Sequence, residues 1–114
     1  MLTVEKLENA GADTKDGIAR CAGNEAFYLK IAGMVITNEG YEQLKKSIED
    51  NDLNAAFEAA HALKGLVGNA SLTPLYKSVC DITELLRART EMDYTDMVNG
   101  IMDQVAAYRA LMED

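Results

Sequence analysis

Ala59-Ala60-His61-Ala62-Leu63-Lys64-Gly65 lies inside a helical pattern that runs from about Leu53 to Ala70 and holds the only histidine of the chain. At roughly 100° per residue, Ala56, Ala60, Leu63 and Val67 fall in one narrow arc, which predicts the buried face of this helix. The same arithmetic places His61 about 140° from Ala56, outside that arc. Gly65 and Gly68, four and seven residues on, share the face of His61. Lys64 borders the patch, and Phe57, one turn earlier, points near it. Each glycine costs roughly 0.8–1 kcal/mol against alanine in a helix interior, so two on one exposed face need a benefit. Absent side chains would let another surface approach His61 closely. The plainer alternatives are a kink or a tight helix crossing.

Working outward, Asn51-Asp52 reads as a turn and cap before this helix, and Thr73-Pro74 as the start of the next. Leu75, Val79, Ile82 and Leu86 then recur at helical spacing, and a break at Thr90 to Asp93 precedes a last helix. Met97, Val98, Ile101, Val105, Tyr108 and Leu111 or Met112 are its inward positions. Upstream, Asn24 is a suitable N-cap with Glu25 in the first turn. Phe27, Tyr28, Ile31, Met34 and Val35 read as its core stripe. Thr37-Asn38-Glu39-Gly40 interrupts the pattern as a kink or a short loop, after which Tyr41, Leu44 and Ile48 continue it. Glu42 and Lys46 have the spacing of an exposed helical ion pair. Two short pieces come first, Leu2 to Asn9 and Thr14 to Ala22, separated by Gly11-Ala12-Asp13. The expectation is an all-α protein: an antiparallel up-down four-helix bundle over 24–113, with one or two short additional N-terminal helices within 1–23. Together they form a single domain over 1–114.

Composition agrees with that class. A chain of 114 residues, 48% hydrophobic with one proline, suits one domain with a core of its own and favours helices over strands. Nineteen acidic against 11 basic residues give a net charge of -8, a field that repels nucleic acid and anionic membranes. Cys21 and Cys80 match no metal spacing and sit in apolar helical patterns, so buried free thiols are expected. The first residues lack the basic start and apolar run of a signal peptide, and no apolar run nears the ~20 residues a membrane span needs. The expectation is a soluble, cytoplasmic protein.

An exposed neutral imidazole is a competent nucleophile toward an activated phosphoryl group. Lys64 would supply a cationic donor to phosphate oxygens in an otherwise acidic protein. A surface histidine and a solvated lysine without a role are the bland alternatives, and the two glycines weigh against them. A different class is open through Glu58-Ala59-Ala60-His61, an E-x-x-H of the kind used by carboxylate di-iron bundles. Such sites need two of these motifs, and this chain has one histidine turned from the core. No metal and no cofactor are expected.

His61-Ala62-Leu63-Lys64-Gly65 resembles the H-x-L-K-G signature of histidine-containing phosphotransfer (HPt) domains. The likeness extends through Gly68-Asn69 and Leu75 to Ile82-Thr83-Glu84-Leu85-Leu86, and Gly17-Ile18-Ala19-Arg20 and Gly23-Asn24-Glu25 look like the start of such domains. The resemblance implies a four-helix bundle whose His61 is phosphorylated on Nε2, with Lys64 stabilising the phosphate. Phe57, Gly65 and Gly68 would face the partner, the glycines leaving room for the loops of a response-regulator receiver domain. Arg87, on the following helix, is the candidate for a further cation there. It also implies a phosphocarrier rather than an autonomous enzyme, exchanging phosphate with receivers and with a sensor or hybrid histidine kinase. The Mg²⁺ would sit in the receiver. A monomer is expected, because the face must stay free. A scaffold that binds a receiver without accepting phosphate is the alternative. Ser71 departs from the glycine the family often has there, which bears on the turn between the two central helices.

Overall fold

Seven α-helices occur among the described residues, and the turns between them decide how they stack. The computed structural model describes residues 1–113; Asp114, the last residue of the expected domain, lies outside them. The helices are α1 (Val4–Asn9), α2 (Thr14–Arg20), α3 (Glu25–Ile36), α4 (Gly40–Glu49), α5 (Leu53–Asn69), α6 (Thr73–Arg87) and α7 (Thr95–Ala110). Asn24 and Asp52 cap α3 and α5 through side-chain oxygens that accept from Phe27 and Ala55 N–H, and Pro74 lies in the first turn of α6.

The turns after α4 and α5 use one device. Asn51 and Ser71 each take a left-handed backbone, both at φ of 55°. Asp52 N–H then donates to the Ser47 carbonyl and Leu72 N–H to the Val67 carbonyl, closing the helix ends. Turns this short reverse the chain, so α4, α5 and α6 pack as antiparallel neighbours. Helix α7 returns against both α6 and α4 and completes a four-helix bundle. Helix α3 leans on α7, and α1 and α2 extend that end.

Ala56, Ala60, Leu63 and Val67 are fully buried, as the period of α5 predicts. They meet Leu44 of α4, Leu75, Val79, Ile82 and Leu86 of α6, and Ile101 and Val105 of α7 in one core. Two buried tyrosines bind backbone carbonyls: Tyr28 Oη donates to Ala70 O at 2.8 Å and Tyr41 Oη to Val35 O at 3.1 Å. Burial pushes the Tyr28 phenol up to about 12.

The interruption at Thr37 to Gly40 is a short turn. Asn38 Oδ1 accepts from Gly40 N–H at 2.7 Å, and a Cβ on Gly40 would stand 2.9 Å from Leu63 Cδ2. The missing side chain therefore lets α4 begin hard against α5.

Three expectations need correction. In α3 the inward positions are Tyr28, Ala32, Val35 and Ile36, while Phe27 and Met34 are exposed. The apolar arc of α3 is wide, and the choice is made by Gly17, where any Cβ would run into the Tyr28 ring. Glu42 does not pair with Lys46. Its carboxylate accepts from Arg109 of α7 at 2.6 Å, which holds it below the usual carboxylate range, and Lys46 pairs with Asp50 at 3.1 Å. Cys21 and Cys80 are free but only half-buried. Among the described residues no helix is long and apolar enough to cross a membrane.

Candidate functional site

His61 projects from the middle of α5 into solvent, on the side away from the Ala56–Val67 stripe. Toward the N-terminus of α5 its ring lies on Phe57, with centroids 5.5 Å apart and planes 22° from parallel. Phe57 is itself half-buried and carries two guanidinium groups on its face, Arg87 at 5.1 Å and Arg89 at 5.0 Å. Toward the C-terminus the surroundings change. His61, Lys64, Gly65 and Gly68 line an open cleft of about 510 Å³, whose far wall is Asp13, Asp16 and Arg20.

Lys64 is held by Glu84 of α6 at 3.7 Å, and Glu84 also accepts from Arg87 Nε at 3.3 Å. Glu84 and Arg87 are exposed and Lys64 is half-buried, and solvent-accessible pairs of that kind contribute only about 0–1 kcal/mol. Lys64 can therefore turn to a stronger anion at little cost. Glu84 was not singled out by the sequence. Its spacing to Arg87 is a helical one, but its reach to Lys64 depends on how α5 and α6 cross.

The two glycines, equivalent by helical arithmetic, are not equivalent in space. A Cβ on Gly65 would meet nothing within 4 Å. On Gly68 it would stand 3.0 Å from Tyr76 Cε1, so this glycine receives a ring from α6. Gly65 opens the approach to His61, and Gly68 sets a close packing beside it.

Ser71 closes one end of the cleft. Its left-handed backbone would cost a glycine nothing, yet its hydroxyl donates to Asp16 Oδ2 at 2.7 Å, and Asp13 N–H donates to its carbonyl at 2.9 Å. These bonds fasten α2 over the turn between α5 and α6. The Ser71 hydroxyl and Arg20, 2.8 Å away, hold the Asp16 carboxyl below its usual range. Arg20 and Asn69 also border a second, apolar groove lined by Phe27, Ile31, Met34 and Leu66.

Glu58 and His61 both face solvent, and among the described residues no cluster of three His, Cys, Asp or Glu side chains is placed to hold an ion.

An exposed imidazole in the middle of a long, capped helix, a cation one turn on and an open side at Gly65 are suited to group transfer with a docking protein. The family model for the Hpt domain matches residues 37–112, from the turn before α4 through α7, and includes His61 to Gly65. The chain belongs to this family. No curated protein and no solved structure matches it. Hpt domains are phosphocarrier modules of two-component systems that interact with receiver domains and kinases, and are not enzymes in themselves. The likeness at Gly17–Arg20 and Gly23–Glu25 falls outside the matched residues, so in this Hpt protein α1 to α3 and their wall of the cleft stand apart from the match.

Proposed function

We propose that the protein is a phosphorelay intermediate in which His61 accepts a phosphoryl group from an aspartate of a response-regulator receiver domain and returns it to another. A sensor or hybrid histidine kinase stands upstream. What carries the reading is the unobstructed side of His61 at Gly65, with Lys64 beside it. In the forward step the Nε2 lone pair of the neutral imidazole attacks phosphorus, forming a P–N bond. The P–O bond to the receiver aspartate breaks, and its electron pair leaves on the carboxylate. The reverse step regenerates the acyl phosphate. Lys64 leaves Glu84 to donate to the phosphoryl oxygens. The Mg²⁺ belongs to the receiver.

Gly65 admits the receiver loops, Phe57, Gly68 and Arg87 border the contact, and the apolar groove next to the cleft offers further docking area. The domain acts over its whole length as a monomer in the cytoplasm, since a self-association that covered α5 would block transfer. The binding-only scaffold is the rival reading, and an intact His61–Lys64 pair argues against it.

Incubation with a phosphorylated receiver domain is the test. Wild type should acquire acid-labile, base-stable phosphate and His61→Gln should not, while Lys64→Ala should slow uptake about 10-fold or more. Equal labelling of wild type and His61→Gln defeats the proposal. Receiver binding without any labelling would favour the scaffold.

A further inference from the structure

Arg89 occupies an unusual place for a long side chain. It is the first residue past the C-cap of α6 and adopts a left-handed backbone, φ 52°, where glycine is favoured. Its side chain, though exposed, is hydrogen-bonded at both ends of the guanidinium. Nε donates to Asn54 Oδ1 at 2.8 Å, and Nη1 donates to the Leu86 carbonyl at 2.6 Å. Asn54 lies in the first turn of α5, so this guanidinium bridges the end of α6 and the beginning of α5, the helix before it. Its carbon sits 5.0 Å from the centre of the Phe57 ring, which stacks on His61. Arg87 touches the same ring but has Glu84 as its side-chain partner, at 3.3 Å and largely in solvent. The two arginines differ in what they tie together: Arg89 reaches Asn54 on α5, whereas the ion-pair partner of Arg87 lies on its own helix.

We infer that Arg89 and Asn54 are positioning residues for His61, acting through Phe57. An exposed imidazole has a broad torsion about its ring bond and spends its time in several orientations. Asn54 and the Leu86 carbonyl hold Arg89, Arg89 holds the Phe57 ring, and Phe57 restricts the plane of the imidazole. Only orientations that present a ring nitrogen to the approaching phosphorus are productive, so the restriction raises the productive fraction. The effect on transfer rests on the phosphorelay reading above; the effect on the ring does not.

The test uses the full chain and reads the Cδ2–H and Cε1–H resonances of His61 by NMR, which lie in the ring field of Phe57. In Arg89→Gly the backbone keeps its conformation without strain, so the clamp is lost while the fold remains. The His61 resonances should move toward those of a free imidazole, and phosphoryl uptake from a receiver should fall about 3- to 10-fold. Asn54→Ala should shift them in the same direction by less, which keeps the test open if Arg89→Gly folds poorly. Phe57→Leu should abolish the ring shift, and adding Arg89→Gly to it should change nothing more. Unchanged His61 resonances in Arg89→Gly, or an equal further shift in the Phe57→Leu background, would overturn the inference. If the resonances shift as expected but wild type takes up no phosphate, the positioning stands and the phosphorelay reading fails.

Discussion

The surface around His61 is filled on one side and empty on the other. On the Phe57 side, ring lies on ring and two guanidiniums cover the stack. On the Gly65 side a Cβ would find no neighbour within 4 Å, and a cleft opens toward α2. Both sides belong to one helix with one buried stripe, so burial cannot account for the contrast. A reactive group that must meet another protein needs a fixed orientation and a free approach, and the two sides divide those tasks. The sharpest way to break this comparison is to fill the empty side. Gly65→Leu should raise stability by about 0.5–1 kcal/mol through helix propensity, read by urea denaturation. Transfer from a receiver should nevertheless fall about 10-fold or more through obstruction. A variant that is stabler and equally fast would show that the vacancy serves nothing.

How much of this contrast is visible in the chain depends on how local its causes are. The stripe Ala56, Ala60, Leu63 and Val67 is legible because it stays apolar at helical spacing along α5, although Ala55, Ala59, Ala62 and Leu66 are apolar beside it. The face of His61 follows from it by geometry. In α3 two neighbouring arcs are apolar, and the choice between them depends on Gly17 receiving Tyr28 from a different helix. The same limit separates the glycines: Gly65 and Gly68 have one helical phase, and Tyr76 of α6 makes them different. Arg89 was illegible for a further reason. It reads as a loop residue after a helix, and nothing local shows that its side chain returns to Asn54, 35 positions earlier.

A smaller effect belongs to the acid shared by the two sides. Glu84 binds Lys64, which faces the cleft, and Arg87, which covers the stack. Glu84→Gln should release both cations and lengthen the lifetime of phosphorylated His61. The exposed pairs limit the gain to about 5-fold, the equivalent of roughly 1 kcal/mol. Loss of phosphorylated His61 with time, in the absence of receiver, measures it. A shorter lifetime would mean that Glu84 assists the phosphoryl group rather than competing with it.

Gly68 sharpens the comparison from within the cleft. In Gly68→Ala the new methyl would press on Tyr76 at 3.0 Å, and that ring is partly exposed and able to yield by a few tenths of an ångström. The propensity gain and the displaced ring should nearly cancel, leaving stability within about 0.5 kcal/mol. Transfer should change by less than about 2-fold, because the methyl points at α6 and leaves the receiver's path open. A loss as large as that of Gly65→Leu would place Gly68 on the open side after all.

The smallest effect concerns the far wall of the cleft and carries a sign in pH. Asp16 is held below its ordinary range by the Ser71 hydroxyl first and by Arg20 second. A depressed carboxyl contributes stability above the pKa it has in the unfolded chain, and loses it as pH falls through the lowered folded value. Ser71→Ala keeps the left-handed backbone, φ 55°, and removes the hydrogen bond, so it should be less stable than wild type at neutral pH. The difference should shrink on acidification, as protonated Asp16 gives up the same bond in wild type. Ser71→Gly also loses the bond but relieves the backbone, and should lie between the two. Thermal unfolding of the three proteins across the acid range separates these contributions. If the gap between wild type and Ser71→Ala were to widen toward low pH, Asp16 would not be what Ser71 holds, and α2 would be fastened over the cleft by the Asp13–Ser71 backbone bond alone.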